Sequence, residues 1–340
     1  MTPALPASSP PPNWVEANHP LGWLINRVLA VEPLRQLLFW QARRLIIRTA
    51  EGRGIAWRQR RESLQAAAEP LLAASTSPSL AMPAYYRARF HAYDQGNLCW
   101  AAACEAEQAT DSMALRVWPE ERDLGPEVAQ RRLRRAIFSA IEASLTGPVR
   151  RALDLGCSVG VGTFALREWL LERQAAEGDL PVVEGLDLSA QMLAVARVRE
   201  GELLAASSGA ATPSGSRASL PAITWHHGAA EATGLPGAAY DLITLQFVCH
   251  ELPQSATRAV LAEAARLLRP GGVIALVDQD PDSAVIRRLP APIATLLKST
   301  EPYLEDYFRL DLPAALREAG FQGVRCTAAD PRHRVLVARR

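Results

Sequence analysis

The C-terminal half of the chain alternates short apolar runs with amphipathic stretches. The apolar runs have the length of buried strands and lie near residues 150–156, 182–188, 223–229, 240–248 and 272–279. Apolar residues at helical spacing predict helices near 162–177, 189–200 and 256–269. This βα alternation indicates an α/β protein with a parallel sheet and helices on both faces.

The C-terminal segment shows a different pattern. A predicted helix at 312–319 is followed by two short apolar segments, 323–328 and 334–338. Only a few residues separate these segments, and a parallel pair would need a long crossover, so they must form an antiparallel hairpin. We therefore predict a doubly wound, seven-stranded, mostly parallel sheet with a terminal antiparallel hairpin.

The N-terminal half differs from the rest in composition. Residues 13–75 carry apolar side chains at helical spacing, and a serine- and proline-rich linker follows them. The first residues are rich in proline, alanine and serine, which predicts a disordered tail. A Gly/Ser/Ala-rich stretch inside the α/β part predicts a flexible insertion. The resulting boundaries are a tail at 1–12, a helical extension at 13–83, a helical lid or substrate segment at 84–147, and an α/β domain at 148–340 with the insertion at 201–222.

Two strand ends carry the candidate binding chemistry. Asp154 ends the first predicted strand, and Gly156, Ser158 and Gly160 shape the turn that leads into a helix. Glycine lets the backbone approach a ligand closely, and a helix start presents free N–H groups. The second strand ends in Asp187, a carboxylate suited to the two hydroxyls of a ribose. Together they predict a nucleoside-type cofactor at the carboxyl edge of the sheet.

The turn resembles the first motif of class I S-adenosylmethionine (SAM)-dependent methyltransferases, Asp/Glu-x-Gly-x-Gly-x-Gly, with Ser158 where the middle glycine usually stands. The dinucleotide fingerprint Gly-x-Gly-x-x-Gly has another spacing, which argues against a nicotinamide-dependent oxidoreductase. Five motifs of the family occur in order over residues 148–340, and its fold ends in the same hairpin. The resemblance implies SAM as cofactor, bound by Asp154, Gly156, Ser158, Gly160, Asp187, Leu188, Met192, Ala230, Glu231, Gln246 and Phe247.

One departure from the family affects the adenine end of this predicted site. Ala229 stands where the family commonly has an acid that contacts the adenine amino group. Adenine recognition is therefore left to backbone groups or to Glu231.

His250 and Glu251 are the candidate catalytic residues. They follow the fourth strand, where substrate-facing residues lie in doubly wound folds. The sulfonium of SAM is already activated, so a base is needed only for a hydroxyl or an acidic carbon, and histidine has a suitable intrinsic pKa. The alternative is that this pair only holds the loop.

Two segments are predicted to cover the acceptor. In the resembled superfamily, the segment before the first strand often folds over the cofactor, and an insertion after the fifth strand, here 280–311, caps the acceptor pocket. The aromatic segment at 85–107 resembles one in poorly characterised methyltransferase-like proteins of cyanobacteria and plant plastids. The alternatives are an aromatic seam between domains and ordinary helix core. The candidate lid and substrate residues are Tyr93, Asp94, Asn97, Trp100, Tyr303 and Tyr307.

Charge and cysteine content limit the classes of binding partner that this chain is expected to have. The net charge of +1 gives no electrostatic case for nucleic acid. Five scattered cysteines without a Cys-x-x-Cys pair indicate no metal site or disulfide framework, and they favour a reducing, cytoplasmic location. Tryptophan and arginine on the helices of residues 20–61 suggest either contact with an anionic membrane surface or a helical cap. The sequence leaves the oligomeric state open.

The sequence therefore predicts transfer of a methyl group from SAM to a small acceptor. The acceptor is expected to be apolar or aromatic, because the extension is apolar and few charges mark the predicted pocket. The alternative is a non-catalytic binding or regulatory protein that keeps the methyltransferase fold, since Ser158 and Ala229 both depart from the family.

Overall fold

The sheet has the predicted architecture. The computed structural model describes Arg27 and residues 30–91, 93–174, 180–209 and 220–340. Its seven strands form one sheet in the order β3-β2-β1-β4-β5-β7-β6, in which only β7 runs antiparallel to its neighbours β5 and β6. The strands are β1 (Arg151–Leu155), β2 (Val182–Asp187), β3 (Thr224–His227), β4 (Tyr240–Gln246), β5 (Leu268–Gln279), β6 (Gln322–Ala328) and β7 (His333–Arg339).

Helices cover both faces of this sheet, and further helices precede its first strand along the chain. The helices are α1 (Glu32–Glu51), α2 (Trp57–Ala68), α3 (Trp100–Val117), α4 (Pro126–Glu142), α5 (Val161–Gln174), α6 (Ala190–Gly209), α7 (Gln254–Leu267), α8 (Ala284–Arg287), α9 (Ala291–Thr300), α10 (Leu304–Arg309) and α11 (Leu312–Glu318). The predicted insertion at 201–222 begins later than expected, because 201–209 continue α6. Residues 210–219 and the predicted tail at 1–12 lie outside the described residues.

The core lies on both sides of the sheet. Every residue of β4 is buried, as expected for a parallel strand covered on two faces. On one face, Leu133 and Ile137 of α4 pack with residues of α5 and α6. On the other, Leu261 of α7 and Leu316 of α11 pack with Ile243 and its neighbours. This two-sided packing fixes the carboxyl ends of β1, β2 and β4 side by side.

The N-terminal extension is attached through α2. Trp57 and Leu64 of this helix are buried, and the helix packs on α3 and α6. Arg60 forms an ion pair with Glu202 of α6. In the described part of the chain, no helix has the length and apolar character needed to cross a bilayer.

Candidate functional site

One cavity of about 560 Å³ lies at the carboxyl ends of the central strands. The turn after β1, the ends of β2 and β4, and the loop that precedes α3 all contribute to its wall. Most of the residues predicted from the sequence line it together. They are Tyr93, Asn97, Asp154, Gly156, Ser158, Asp187, Leu188, Met192, Ala230, Glu231, Gln246, Phe247, His250 and Glu251.

The turn after β1 has the backbone that the glycine pattern predicts. Gly156 and Gly160 have φ angles of +72° and +84°. A Cβ on Gly156 would lie 2.6 Å from Val248, and a Cβ on Gly160 would lie 2.7 Å from the ring of Trp225. Ser158 shares the left-handed conformation with φ of +49°, which few non-glycine residues adopt. Gly160 thus lies against the ring of Trp225 and does not line the cavity.

Asp187 is held at the end of β2 by donors from three segments. Its Oδ2 accepts from the backbone N–H of Ser158 at 2.8 Å. Its Oδ1 accepts from the N–H of Ser189 at 2.8 Å and from the hydroxyl of Tyr86 at 3.3 Å. Burial raises the pKa of Asp187, and these hydrogen bonds oppose the rise. The hydroxyl of Tyr86, in the lid segment, thus hydrogen-bonds to a carboxylate oxygen that the sequence analysis assigned to the ribose.

Asp154 braces the cofactor turn from within. Its carboxylate accepts from the hydroxyls of Thr163 at 2.8 Å and Thr244 at 2.6 Å, and from the side-chain amide of Gln246 at 3.3 Å. Asp154 is 2% exposed, and burial raises its pKa against these hydrogen bonds. The carboxylate therefore ties β1, β4 and α5 together beside the cavity.

Sequence reasoning missed Arg134, a charged residue in the cavity wall. Arg134 lies on the buried face of α4, one helical turn before Ile137 and Phe138. Its Nη1 donates to Oε1 of Gln246 at 2.6 Å, and its Nε has no partner among the described residues. Burial lowers its pKa to about 10, so it keeps its charge at neutral pH. The available signal was that, among the four arginines of this helix, Arg134 stands at the helical spacing of the apolar residues Leu133, Ile137 and Phe138.

Two lid tyrosines, Tyr85 and Tyr86, were also missed as site residues. The hydroxyl of Tyr85 donates to Oε1 of Glu231 at 2.7 Å, while Oε2 of Glu231 has no partner among the described residues. Both tyrosines line the cavity. The sequence shows that this segment is rich in aromatic residues. It does not show which of them reach the carboxyl ends of the strands.

His250 lies at the other end of the cavity, fixed by Asp278. Its Nδ1 lies 2.8 Å from Oδ1 of Asp278, and its backbone N–H donates to Oδ2 at 3.1 Å. Burial alone would lower the pKa of His250, but the Asp278 carboxylate outweighs it and raises the pKa to about 10. Beside it, Glu251 accepts from the amide of Asn97 at 2.7 Å, and burial raises its pKa to about 8. At neutral pH this end of the cavity therefore holds bound protons.

Four of the predicted lid and substrate residues lie outside the cavity wall. Asp94 is 75% exposed and forms an ion pair with Arg89 at 3.3 Å. Trp100 begins α3 and packs beside the buried cluster of α2, α3 and α6. Tyr307 is buried and donates to the main-chain oxygen of Gln279 at 2.6 Å, while Tyr303 donates to that of Tyr85 at 3.3 Å. These two tyrosines hold the cap and the lid in place.

Comparisons with known proteins show which domain family the α/β part of this chain resembles. Residues 153–276 match the family described as "Methyltransferase domain". An uncharacterized methyltransferase of Synechocystis sp. is 27% identical over 185 residues, 54% of this chain and 73% of the relative. The demethylmenaquinone methyltransferase of Bacillus licheniformis is 30% identical over 139 residues, 41% of this chain and 49% of the relative. Among solved structures, Haemonchus contortus phosphoethanolamine N-methyltransferase 2 with S-adenosyl-L-methionine has a TM-score of 0.44 at 17% identity, covering 68% of this chain and 58% of that one.

The sheet order, the strand-end carboxylates and the matched domain define a class I methyltransferase. Residues 153–276 of this chain match the domain of that class, whose cofactor is SAM. The matched segment runs from the end of β1 to β5 and contains Asp154, Asp187 and His250. It does not include the lid segment, the cap or the N-terminal helices.

Proposed function

We propose that this chain transfers the methyl group of SAM to a small apolar or aromatic acceptor bound next to His250. The observation that carries the proposal is the continuity of the cavity, which joins the Asp187 end to the His250 end. Its volume of about 560 Å³ falls within the range of small-molecule sites. One cavity can therefore hold donor and acceptor together, which a one-step transfer requires.

The residues of the cofactor end fit the groups of SAM. The Asp187 carboxylate suits the ribose hydroxyls once the Tyr86 hydroxyl moves away from it. The unpartnered Oε2 of Glu231 suits the adenine amino group, in place of the acid absent at Ala229. Arg134, with an unpartnered Nε beside Gln246, suits the methionine carboxylate.

The acceptor end combines apolar walls with a fixed proton donor. Ile46, Met113, Ile293 and Leu297 line the same cavity, which favours an acceptor ring or chain of low polarity. When SAM is bound, its sulfonium supplies an activated methyl group. With its pKa near 10, His250 donates a hydrogen bond through Nε2 to an acceptor oxygen and stabilises negative charge there. His250 therefore acts as a hydrogen-bond donor, and not as the base that the sequence suggested, because it is already protonated at neutral pH.

A quinol or phenol ring satisfies these requirements. The hydroxyl would release its proton to solvent, and the resulting ionised oxygen would face the protonated His250, while the ring would lie against the apolar wall. The Bacillus relative is named for demethylmenaquinone, which supports a quinone-derived acceptor for this chain. The nucleophile forms its bond to the methyl carbon as the carbon–sulfur bond breaks, and the bond electrons neutralise the sulfonium.

The exposed face of α1 supports contact with a membrane, where such apolar acceptors reside. Leu34, Leu37, Trp40 and Leu45 are each at least 45% exposed on this helix. Arg44 lies over the ring of Trp40 at 5.1 Å and carries charge to the same surface. Basic residues next to exposed apolar ones suit an anionic lipid surface.

Two measurements test the proposed function. Calorimetry with SAM should give one binding site, and incubation with SAM and a reduced quinone or phenol should release S-adenosylhomocysteine. Failure of the folded protein to bind SAM contradicts the proposal. Binding without turnover on quinols, phenols and isoprenoids supports the alternative of a non-catalytic methyltransferase-like protein instead.

A further inference from the structure

Three side chains from separate segments converge at the acceptor end of the cavity. They are His91 of the lid loop, His250 after β4, and Glu301 just after α9. Each presents one nitrogen or oxygen, and the three atoms lie within 4.8 Å of one another. All three residues line the cavity.

No hydrogen bond joins these three side chains in the described part of the chain. Nε2 of His91 lies 3.8 Å from Oε1 of Glu301, which is longer than a hydrogen bond. Glu301 is 5% exposed, and its Oε2 has no partner among the described residues. The side-chain amide of Gln279 and the charge of Arg116 act on the same carboxylate. Its Oε2 nevertheless accepts no hydrogen bond from the described residues, and a buried oxygen of this kind is suited to a ligand.

The surrounding structure orients these groups as it would for metal ligands. Asp278 binds Nδ1 of His250, which leaves Nε2 to face the cluster. A carboxylate on the far nitrogen is the usual support of a metal-binding histidine. The backbone N–H of His91 donates to the main-chain oxygen of Thr300 at 2.9 Å, which fixes His91 beside Glu301.

We propose that His91, His250 and Glu301 bind a first-row divalent cation, with Zn²⁺ as the representative ion. Two imidazole nitrogens and one carboxylate oxygen are ligands that Zn²⁺ prefers, at about 2.0–2.2 Å. Tetrahedral ligands at these lengths lie roughly 3.4 Å apart, so the cluster needs only a small contraction. On binding, Nε2 of His250 releases its proton to solvent.

Because all three ligand residues line the cavity, the remaining coordination positions of the ion would be open to it. Three protein ligands and an open position are the arrangement of catalytic, as opposed to structural, zinc sites. Resting on the proposed function, this site would coordinate the acceptor oxygen directly and favour its ionised form. In the metal-free protein the proton on Nε2 of His250 serves the acceptor oxygen, and with the ion bound the ion would take over that role.

The test is metal binding by the full chain, independent of turnover. After dialysis against chelator, titration with Zn²⁺ is expected to show about one equivalent bound, and Co²⁺ should give visible absorption of a low-coordinate site. The variants His91→Ala and Glu301→Gln should each weaken binding at least about tenfold, and Asp278→Asn should weaken it about 10–100-fold. These titrations are best made in a Cys326→Ser background, because Cys326 is an exposed thiol.

Matched controls separate this site from stray binding. His226→Ala removes a histidine outside the cavity that pairs with Glu184, and Glu318→Gln removes an exposed carboxylate. Both should bind Zn²⁺ as the parent does. Absence of stoichiometric binding in the parent, or equal binding by the His91 and Glu301 variants, overturns the proposal. SAM calorimetry on the same variants is independent, so loss of metal with intact SAM binding leaves the proposed function standing.

Discussion

At the scale of single residues, position in the fold decides which charges serve the site. Asp94 and Asp187 are both aspartates near predicted turns, yet one is an exposed ion-pair partner and the other lies 6% exposed in the cavity wall. Arg134 and Arg131 lie on the same helix, but only Arg134 is buried beside Gln246. Such pairs provide matched variants for testing the cofactor end.

Arg134→Gln should weaken SAM binding roughly tenfold or more. A charge-assisted hydrogen bond contributes about 1.5–3 kcal/mol, and Gln246 alone supplies no charge. Calorimetry with SAM measures the change, and Arg131→Gln is the control because Arg131 is exposed and forms an ion pair with Glu127. Equal loss in both variants would mean that Arg134 does not contact the cofactor.

Asp187→Ala should weaken SAM binding by several-fold or more, because a charge-assisted ribose contact is lost. Tyr86→Phe is the companion variant. It removes only the hydroxyl that bonds to Asp187, so SAM affinity should stay equal or increase. The same calorimetric titration serves both variants. An unchanged affinity in Asp187→Ala would show that the ribose is bound elsewhere.

At the scale of elements, a buried carboxylate of β2, Glu184, links this strand to its neighbours in the sheet. Glu184 contacts His226 at 2.6 Å, Nε of Arg151 at 2.5 Å and the hydroxyl of Tyr240 at 3.1 Å. Burial alone would raise the pKa of Glu184, but these hydrogen bonds outweigh it and lower the pKa to about 2. The ionised carboxylate therefore stabilises the fold above pH values near 4.5, and this contribution is lost as the pH falls towards 2.

In Glu184→Gln, the free energy of unfolding should decrease less on acidification than it does in the parent protein. The free energy of unfolding lost by the substitution should be roughly 2 kcal/mol larger at about pH 6 than at about pH 3. Urea denaturation of both proteins at the two pH values measures it. Glu318→Gln, on the exposed surface, should show no such difference. A constant loss at both pH values would contradict the low pKa of Glu184.

At the scale of the whole molecule, the extension and the lid close one side of the cavity. Arg43 of α1 pairs with the buried Glu105 of α3, which also accepts from the hydroxyl of Tyr93 at 2.7 Å. The lid residue Asn97 reaches Glu251 across the cavity. The same extension exposes apolar side chains of α1, so the cavity and the surface that we propose for membrane contact lie on connected elements.

Leu45→Asp should reduce binding to anionic vesicles several-fold. Leu45 is 67% exposed on α1, and a carboxylate there adds both a desolvation cost and charge repulsion at such a surface. Co-sedimentation with phosphatidylglycerol vesicles gives the bound fraction, and Leu180→Asp is the control because Leu180 is 65% exposed before β2. Equal binding by the parent and Leu45→Asp would rule out this face as the contact.

The sequence by itself determined the sheet, its terminal hairpin and most of the cofactor end. Apolar period and turn residues are local properties, and Asp154, Gly156, Ser158 and Asp187 stand directly at strand ends where the motif places them. Helix length beyond residue 200 escaped this reasoning, because alanine- and serine-rich sequence is compatible with both helix and loop. The start of β5 at Leu268 also escaped it, because the sequence predicts that the preceding helix continues to residue 269.

Only the tertiary structure decided which distant side chains meet. The pairing of Tyr86 with Asp187 and of Arg134 with Gln246 joins residues about a hundred positions apart, and no local pattern specifies it. The cluster of His91, His250 and Glu301 is of the same kind. Spacing along the chain predicts where a strand ends, whereas packing between elements determines what faces that end.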